Sequence, residues 1–262
     1  MEPRHRFFLS LATALLLLIR VPLAEPVAVR HVEGLTHGFL SLRSPEGALL
    51  ASGDLIQTVR GDRVTSRLVY RFKDGSLQDG TTVFSQRGHF QLISDHLVQK
   101  GPAFEQPLDM RIDRATGHVV VRYRNDHGEE KVEDEQMDLP PDLANGLIIT
   151  LLKNAQRNDL PSVPLLVATP KPRLVKVTTA IAGSEPFSVA GSPRRATHYV
   201  LKIHIGGIAG LVAPLVGKDP PDSHVWILEG AAPAFLRSRA PTSMGGPLWQ
   251  TDLVSPVWPR AR

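Results

Sequence analysis

The residues best placed to do chemistry are histidines in the second half of the chain. His198, Lys202 and His204 alternate with apolar residues, so they lie on one face of a predicted strand. His198 and His204 would be about 20 Å apart at the usual strand rise, too far to share a metal ion. A site would need distant partners such as Asp222 or His224, and sequence spacing alone does not bring these together.

Acidic residues cluster just before the middle of the chain, with six of them between positions 129 and 138. Calcium loops place oxygen ligands at alternate positions around a glycine, and this run lacks that spacing. It is typical of a solvated strand that leads into a helix. Asp95-His96 and Asp126-His127 are neighbouring acid–histidine pairs. Adjacent residues of a strand point to opposite faces, so neither pair is a catalytic dyad by itself.

The local motifs of common enzymes are absent from the sequence. There is no G-x-S-x-G, no H-E-x-x-H and no G-x-G-x-x-G, and Val216–Asp219 does not match a phosphate loop. These absences favour a non-enzymatic protein, and we expect no cofactor, no metal site and no catalytic residue. A hydrolase whose site is assembled from distant residues stays open, with His198, His204 or His224 as members.

The element that would position any such site is a helix in the middle of the chain. Residues 138–158 read DLPPDLANGLIITLLKNAQRN, with a predicted helix over about 139–157. Asp138 would cap its start, and the following prolines suit a first turn. The apolar face of this helix is wider than a helix on a solvated surface needs. This favours a helix that is enclosed by a sheet. We expect Gly146 to mark close packing against a strand.

Stretches on both sides of this helix alternate between apolar and polar residues. Residues 64–73 show the clearest alternation, with Leu68, Tyr70 and Phe72 on one face and charged residues on the other. Turn signals separate the stretches, so the chain reads as consecutive antiparallel hairpins. We predict a mainly β fold with roughly ten or more strands. The predicted architecture is one domain over residues 25–262, an antiparallel curved sheet (half-barrel) around one central apolar helix.

The first residues have the order of a secretory signal peptide. A short basic head precedes an apolar run from Phe7 to Ile19, and small residues follow. We predict a signal peptide over residues 1–24, with an uncleaved anchor as the alternative. The chain has no Cys, which excludes a lipoprotein anchor and disulfides. These features favour a periplasmic or secreted protein.

The charge of the chain gives no argument for nucleic-acid binding. Residues 1–24 hold three arginines and one glutamate, so the net charge falls from +4 to +2 without them. A charge this small does not indicate a nucleic-acid partner. The number of subunits is not predicted by any pattern in the sequence.

An uncharged, glycine-containing stretch follows the histidine strand. Ile205–Gly217 reads IGGIAGLVAPLVG and is too short to span a bilayer. One interpretation is an apolar lid, or a loop that touches a membrane, with Ile208 and Leu211 contacting a ligand. The other is a buried connection packed in the core, which the frequency of buried apolar runs favours.

The segments Leu139-Pro140-Pro141-Asp142-Leu143 and Gly245-Gly246-Pro247 occur in the order signal, strands, helix, strands. This order resembles exported bacterial proteins of unknown function that are similar to the β half-barrel periplasmic lipoprotein carriers. The resemblance implies a concave apolar surface that holds a lipid or an acyl chain. We predict an apolar-ligand-binding protein with Leu147, Ile148 and Leu151 lining the groove. A cell-envelope structural or interaction module with a packed core is the alternative.

Overall fold

The structure is a computed structural model that describes residues 26–125, 127–168, 171–189, 191–204, 220–243 and 245–254. Within these ranges the chain forms fourteen β-strands and one short α-helix. The predicted signal peptide and the Ile205–Gly217 stretch, with Ile208 and Leu211, lie outside the described residues. Among the described residues, no helix has the length and apolar character needed to cross a membrane.

The secondary-structure elements follow the chain in two runs of strands around the helix. They are β1 Thr36–Arg43, β2 Leu49–Arg60, β3 Arg63–Phe72, β4 Leu77–Ser85, β5 Gln91–Lys100, β6 Leu108–Asp113, β7 His118–Arg124, β8 Glu130–Gln136, α1 Ile148–Asn154, β9 Ser162–Ala168, β10 Pro172–Val189, β11 Ser192–His204, β12 Ser223–Leu228, β13 Phe235–Pro241 and β14 Leu248–Val254. The prediction of a mainly β fold is confirmed.

All fourteen strands belong to one antiparallel sheet with the order β8-β7-β6-β5-β4-β3-β2-β1-β14-β13-β12-β11-β10-β9. The predicted hairpins are therefore neighbours in the sheet. The pairing of β1 with β14, in which Leu40 lies opposite Leu253, joins the two runs. The sheet is open, with β8 and β9 at its two edges.

The helix is shorter than predicted, and it begins at Ile148 instead of about residue 139. Gly146 has a φ of 68°, which an α-helix does not allow, so residues before it form turns instead. Asp138 does not cap α1, because the N-cap position is occupied by Leu147 without a side-chain hydrogen bond. A Cβ on Gly146 would overlap the side chain of Thr82 on β4, which confirms its close packing against a strand.

Among the described residues, the buried apolar side chains form three clusters: a large one (the main core) and a smaller one (the second core) share one sheet face, and a third, Ala196, Trp226 and Leu236, lies on the opposite face. The main core joins residues 139–152 with side chains of β3–β7 and β9–β12. Strands from both ends of the sheet therefore pack against the same central segment. The second core contains Leu40, Leu42, Ala51, Tyr70, Phe72 and Phe104. We call the face that carries both cores the inner face.

Candidate ligand-binding site on the inner face of the sheet

The helix residues predicted to line a groove lie inside the main core. Leu147 is 1% exposed and Leu151 is 3% exposed, while Ile148 is half-buried at the margin of the cluster. Protein side chains already cover these leucines. A ligand could reach them only by displacing the packed segment, so any open apolar surface must lie elsewhere on the inner face.

Such a surface is a row of leucines between the two cores, which we call the leucine row. It consists of Leu55, Leu68, Leu97 and Leu253. Leu55 lies opposite Leu68, Leu68 opposite Gly80, and Gly80 opposite Leu97. The first three leucines are half-buried, and Leu253 is 40% exposed. The row thus follows neighbouring strands across the middle of the sheet.

Two glycines belong to the same row, and each has room for a Cβ. Gly38 lies opposite Leu55, and a Cβ there would be 3.4 Å from Cδ1 of Leu253. A Cβ on Gly80 would have Cδ1 of Leu97 as its nearest neighbour, at 3.7 Å. Gly53 lies two residues from Leu55 along β2, toward the second core. It is different, because a Cβ placed on it would lie 2.6 Å from the ring of Tyr70. Among the described residues, a Cβ is therefore accommodated at the row, at ordinary contact distances, but not at Gly53.

A polar row lies directly beside the leucine row, on the side of the main core. It consists of Gln57, Ser66, Thr82 and Asp95, which are successive cross-strand partners on β2 to β5. Each lies two residues from a member of the leucine row, so both rows share the inner face. Gln57, Thr82 and Asp95 are buried, whereas Ser66 is half-buried. Leucines and hydrogen-bonding groups thus run side by side across four strands.

The acidic groups near these rows have different partners. Lys153 Nζ lies 2.5 Å from Glu33 Oε1, and Gln57 Nε2 donates to Glu33 Oε2, so this buried carboxylate is neutralised. Asp95 accepts a 2.6 Å hydrogen bond from the hydroxyl of Thr82 and has no cationic partner. Burial raises the pKa of Asp95 to about 6, and the Thr82 bond opposes that shift only in part.

Hydrogen bonds also cover the side of the leucine row that faces the second core. Gln99 donates from Nε2 to Gln78 Oε1 and to the carbonyl of Thr242, in the turn after β13. Phe104 packs against Phe72 edge to face in the second core. The leucine row is thus a gap between two covered zones of the inner face.

Sequence reasoning placed the candidate ligand residues on the helix and at Ile208 and Leu211, and it did not identify the leucine row. The cross-strand register brings together residues that lie as many as 198 positions apart in the chain, from Leu55 to Leu253. One local signal was present, since Gly38, Gly53 and Gly80 lie inside predicted or observed strands. A glycine inside a strand marks a bulge or a close approach of another group.

The outer face brings together two of the three histidines that the hydrolase hypothesis named. His198 Nε2 lies 2.9 Å from His224 Nδ1, and His198 Nδ1 lies 2.8 Å from Glu185 Oε1. The ring of Trp226 stacks on His198 at 4.3 Å. His204 is separate, because it bonds to Thr178. Strand pairing thus supplies the partner that spacing along the chain could not.

The hydrogen bonds between Glu185 and His198 and between His198 and His224 determine which imidazole nitrogens carry a proton. A neutral His198 that donates to Glu185 must accept at Nε2, so His224 then donates from Nδ1 and carries its lone pair on Nε2. Desolvation, and then the charge of His198, lower the pKa of His224. No hydroxyl or amide contacts His198 or His224 among the described residues, and no group of three potential metal ligands occurs there.

The remaining charged side chains of the outer face are mostly paired with each other. A depression of about 520 Å³ on β4–β7 has outer-face side chains in its lining, namely Thr81, Val83, Ser94, His96, Arg111, Asp113, His118, Val120 and Arg122. In it His96 lies 2.9 Å from Asp109, and Arg111 shares the same carboxylate. His118 pairs with Asp134. These contacts are typical of a solvated sheet face, and we place the ligand site on the inner face.

Comparison with known proteins identified no family. No protein-family model matches the chain, and no curated protein matches it. A solved structure with a similar fold is a β-barrel-like protein of a domain of unknown function, DUF1849, from Brucella abortus. The match has a TM-score of 0.45 and 12% sequence identity, and it covers 86% of this chain and 98% of that chain. The similarity does not single out the lipoprotein carriers.

Proposed function

We propose that this protein is an exported, non-enzymatic binding protein for an amphiphile with a single apolar chain. The open sheet would act as a half-barrel, and the apolar chain would lie along the leucine row. The observation that carries this proposal is the half-exposed set of leucines on the face that also holds both cores. Export rests on the signal-like residues 1–24.

Burial of the leucine row would supply the binding energy. A fully buried leucine side chain is worth roughly 1.5–3 kcal/mol, and the four leucines of the row retain part of that surface. Covering them would gain about 4 kcal/mol before the costs of binding. The row spans β14 and β1 to β5, which is about 24 Å at the usual strand spacing. This shape suits one extended chain better than a compact ring system.

A second candidate function is a structural or interaction module of the cell envelope. It is favoured by the packing of the central segment, since Leu147 and Leu151 are already covered by side chains. In that case the protein would act through its outer face, and the leucine row would have no ligand. Both candidates share the fold and differ in whether the row binds an apolar molecule.

The test places a bulky side chain in the leucine row by substitution. Gly80→Phe would place a ring beside Leu68 and Leu97, and a Cβ on Gly80 meets nothing closer than 3.7 Å. Ile56→Phe is the matched control, because Ile56 is next to Leu55 in sequence, is 46% exposed and points to the outer face. We would titrate the natural chain and each purified variant with a fluorescent naphthylamine probe. Native and denaturing mass spectrometry of the natural chain would show whether it carries a bound lipid.

We expect the natural chain and Ile56→Phe to bind the probe with the same affinity, and Gly80→Phe to lose at least tenfold. A lipid-sized adduct that denaturation removes would also support the proposal. A natural chain that neither carries an adduct nor binds the probe would overturn it and leave the envelope module. Equal binding by Gly80→Phe would overturn the location.

A further inference from the structure

Resting on the proposed function, we infer that the polar group of the ligand is uncharged or cationic, and that it bonds to Ser66, two strands away from the buried Asp95. This excludes fatty-acid carboxylates as the natural ligand. It assigns long-chain alcohols, amides or amines as the class. The inference follows from which groups of the polar row are free to bond and from the charge that they present.

Ser66 is the open member of the polar row. It lies between Gln57 and Thr82 as their cross-strand partner, and it is half-buried. Its hydroxyl makes no hydrogen bond with any of the described residues, whereas Gln57 bonds to Glu33 and Thr82 to Asp95. A hydroxyl can both donate and accept, so Ser66 can bond to a polar group that lies above the leucine row.

Asp95 determines the sign of the charge at this end of the site. Thr82 bonds to Oδ1, and no other described group bonds to the carboxylate. With a pKa of about 6, Asp95 is ionised at pH 7.5 despite its burial. Neither row contains a Lys or an Arg, and the nearby Lys153 is already paired with Glu33. The described part of the site therefore carries one uncompensated negative charge.

A ligand carboxylate would bring a second negative charge into this partly buried region. Adjacent strands are about 4.8 Å apart, so a group bonded to Ser66 lies roughly 10 Å from Asp95. Like charges at such distances repel in a protein interior, where screening is weak. A hydroxyl, amide or ammonium group avoids this repulsion, and each can bond to the hydroxyl of Ser66.

The experiment compares three amphiphiles of twelve carbons that differ only in the polar group: dodecanol, dodecylamine and dodecanoate. Each would displace the naphthylamine probe at pH 7.5, below its micelle concentration. We expect dodecanol and dodecylamine to bind at least tenfold more tightly than dodecanoate. Asp95→Asn should reduce that ratio at least threefold, chiefly because dodecanoate binds more tightly to the variant.

The control is Asp109→Asn, which removes one negative charge from the outer face and should leave the ratio unchanged. Dodecanoate binding as tightly as dodecanol would overturn the inference and leave the proposed function standing. A ratio that Asp95→Asn does not alter would also overturn it. If none of the three displaces the probe, the proposed function fails, and the inference fails with it.

Discussion

Two zones of the inner face differ in what covers them. Over β4 to β7 and β9 to β12, the segment 139–152 packs against the sheet and buries Leu147 and Leu151 almost completely. Across the middle of the sheet, the leucine row has no such cover among the described residues, and Leu253 is 40% exposed. The same kind of side chain therefore serves stability in the first zone and remains available for binding in the second.

The largest expected difference between the zones is in the cost of removing a leucine. Leu151→Ala leaves a cavity in a filled core and should lower the free energy of unfolding by about 4 kcal/mol. Leu253→Ala removes a side chain that is partly solvated already and should cost less than about 1 kcal/mol. Urea unfolding of both variants would measure this, and equal losses would contradict the distinction.

Substituting a glycine by alanine should likewise cost more stability in the first zone than in the second. Gly146→Ala places a Cβ against Thr82 at a positive φ, and we expect a loss of about 3 kcal/mol from overlap and backbone strain. Gly80→Ala meets nothing closer than 3.7 Å and should change stability by less than about 0.5 kcal/mol. The same unfolding titrations apply. A large loss at Gly80 would show that the row is filled.

Asp95 lies at the boundary between the zones, and its raised pKa makes stability depend on pH. The folded pKa is about 6 and the ordinary value is 3.8, so the proton favours the folded state. This contribution is complete below about pH 4 and is lost as pH rises through 6, a change of about 3 kcal/mol.

Asp95→Asn should remove this pH dependence. At pH 8 the variant should be more stable by about 1–2 kcal/mol, because the unbonded amide hydrogens offset part of the gain. Denaturant unfolding at intervals between pH 4 and pH 8 would measure it. The contribution of Asp95 is the difference in pH dependence between the two chains, so the same pH dependence in the natural chain and in Asp95→Asn would contradict the prediction.

The smallest expected effect is on the outer face, where neither zone is involved. Glu185 is about half exposed and raises the pKa of His224 by its charge. Glu185→Gln should therefore lower the pKa of His224 further and leave stability within about 1 kcal/mol. A pH titration of the His224 ring signals by NMR would show the shift. An unchanged titration would mean that the His198–His224 pair is insulated from Glu185.

The sheet was predictable from local patterns because each strand is bounded by turn residues and alternates along its length. The alternating stretch predicted at residues 64–73 agrees with β3 to within one residue at each end. The start of the helix was predicted wrongly, because the Asp138–Pro141 signal resembles a helix start. The close approach of β4 to Gly146, which stops the helix from extending backward, is a tertiary contact.

The candidate site was less predictable than the sheet. Apolar periodicity on residues 143–155 correctly indicated a buried face, but it could not tell a filled core from an open groove. The leucine row and the Glu185–His198–His224 chain both depend on which residues face each other across strands. A shift of one residue in that register would move every side chain to the opposite face.

The pairing of β1 with β14 has a consequence for how the chain could be rearranged. Read from β9 to β14 and then from β1 to β8, the sheet is a simple meander in which every strand follows its neighbour. Joining the end of β14 to the start of β1, with new termini between β8 and β9, would make all strand pairings sequential. Such a circular permutant would have a lower contact order and should fold faster than the natural chain.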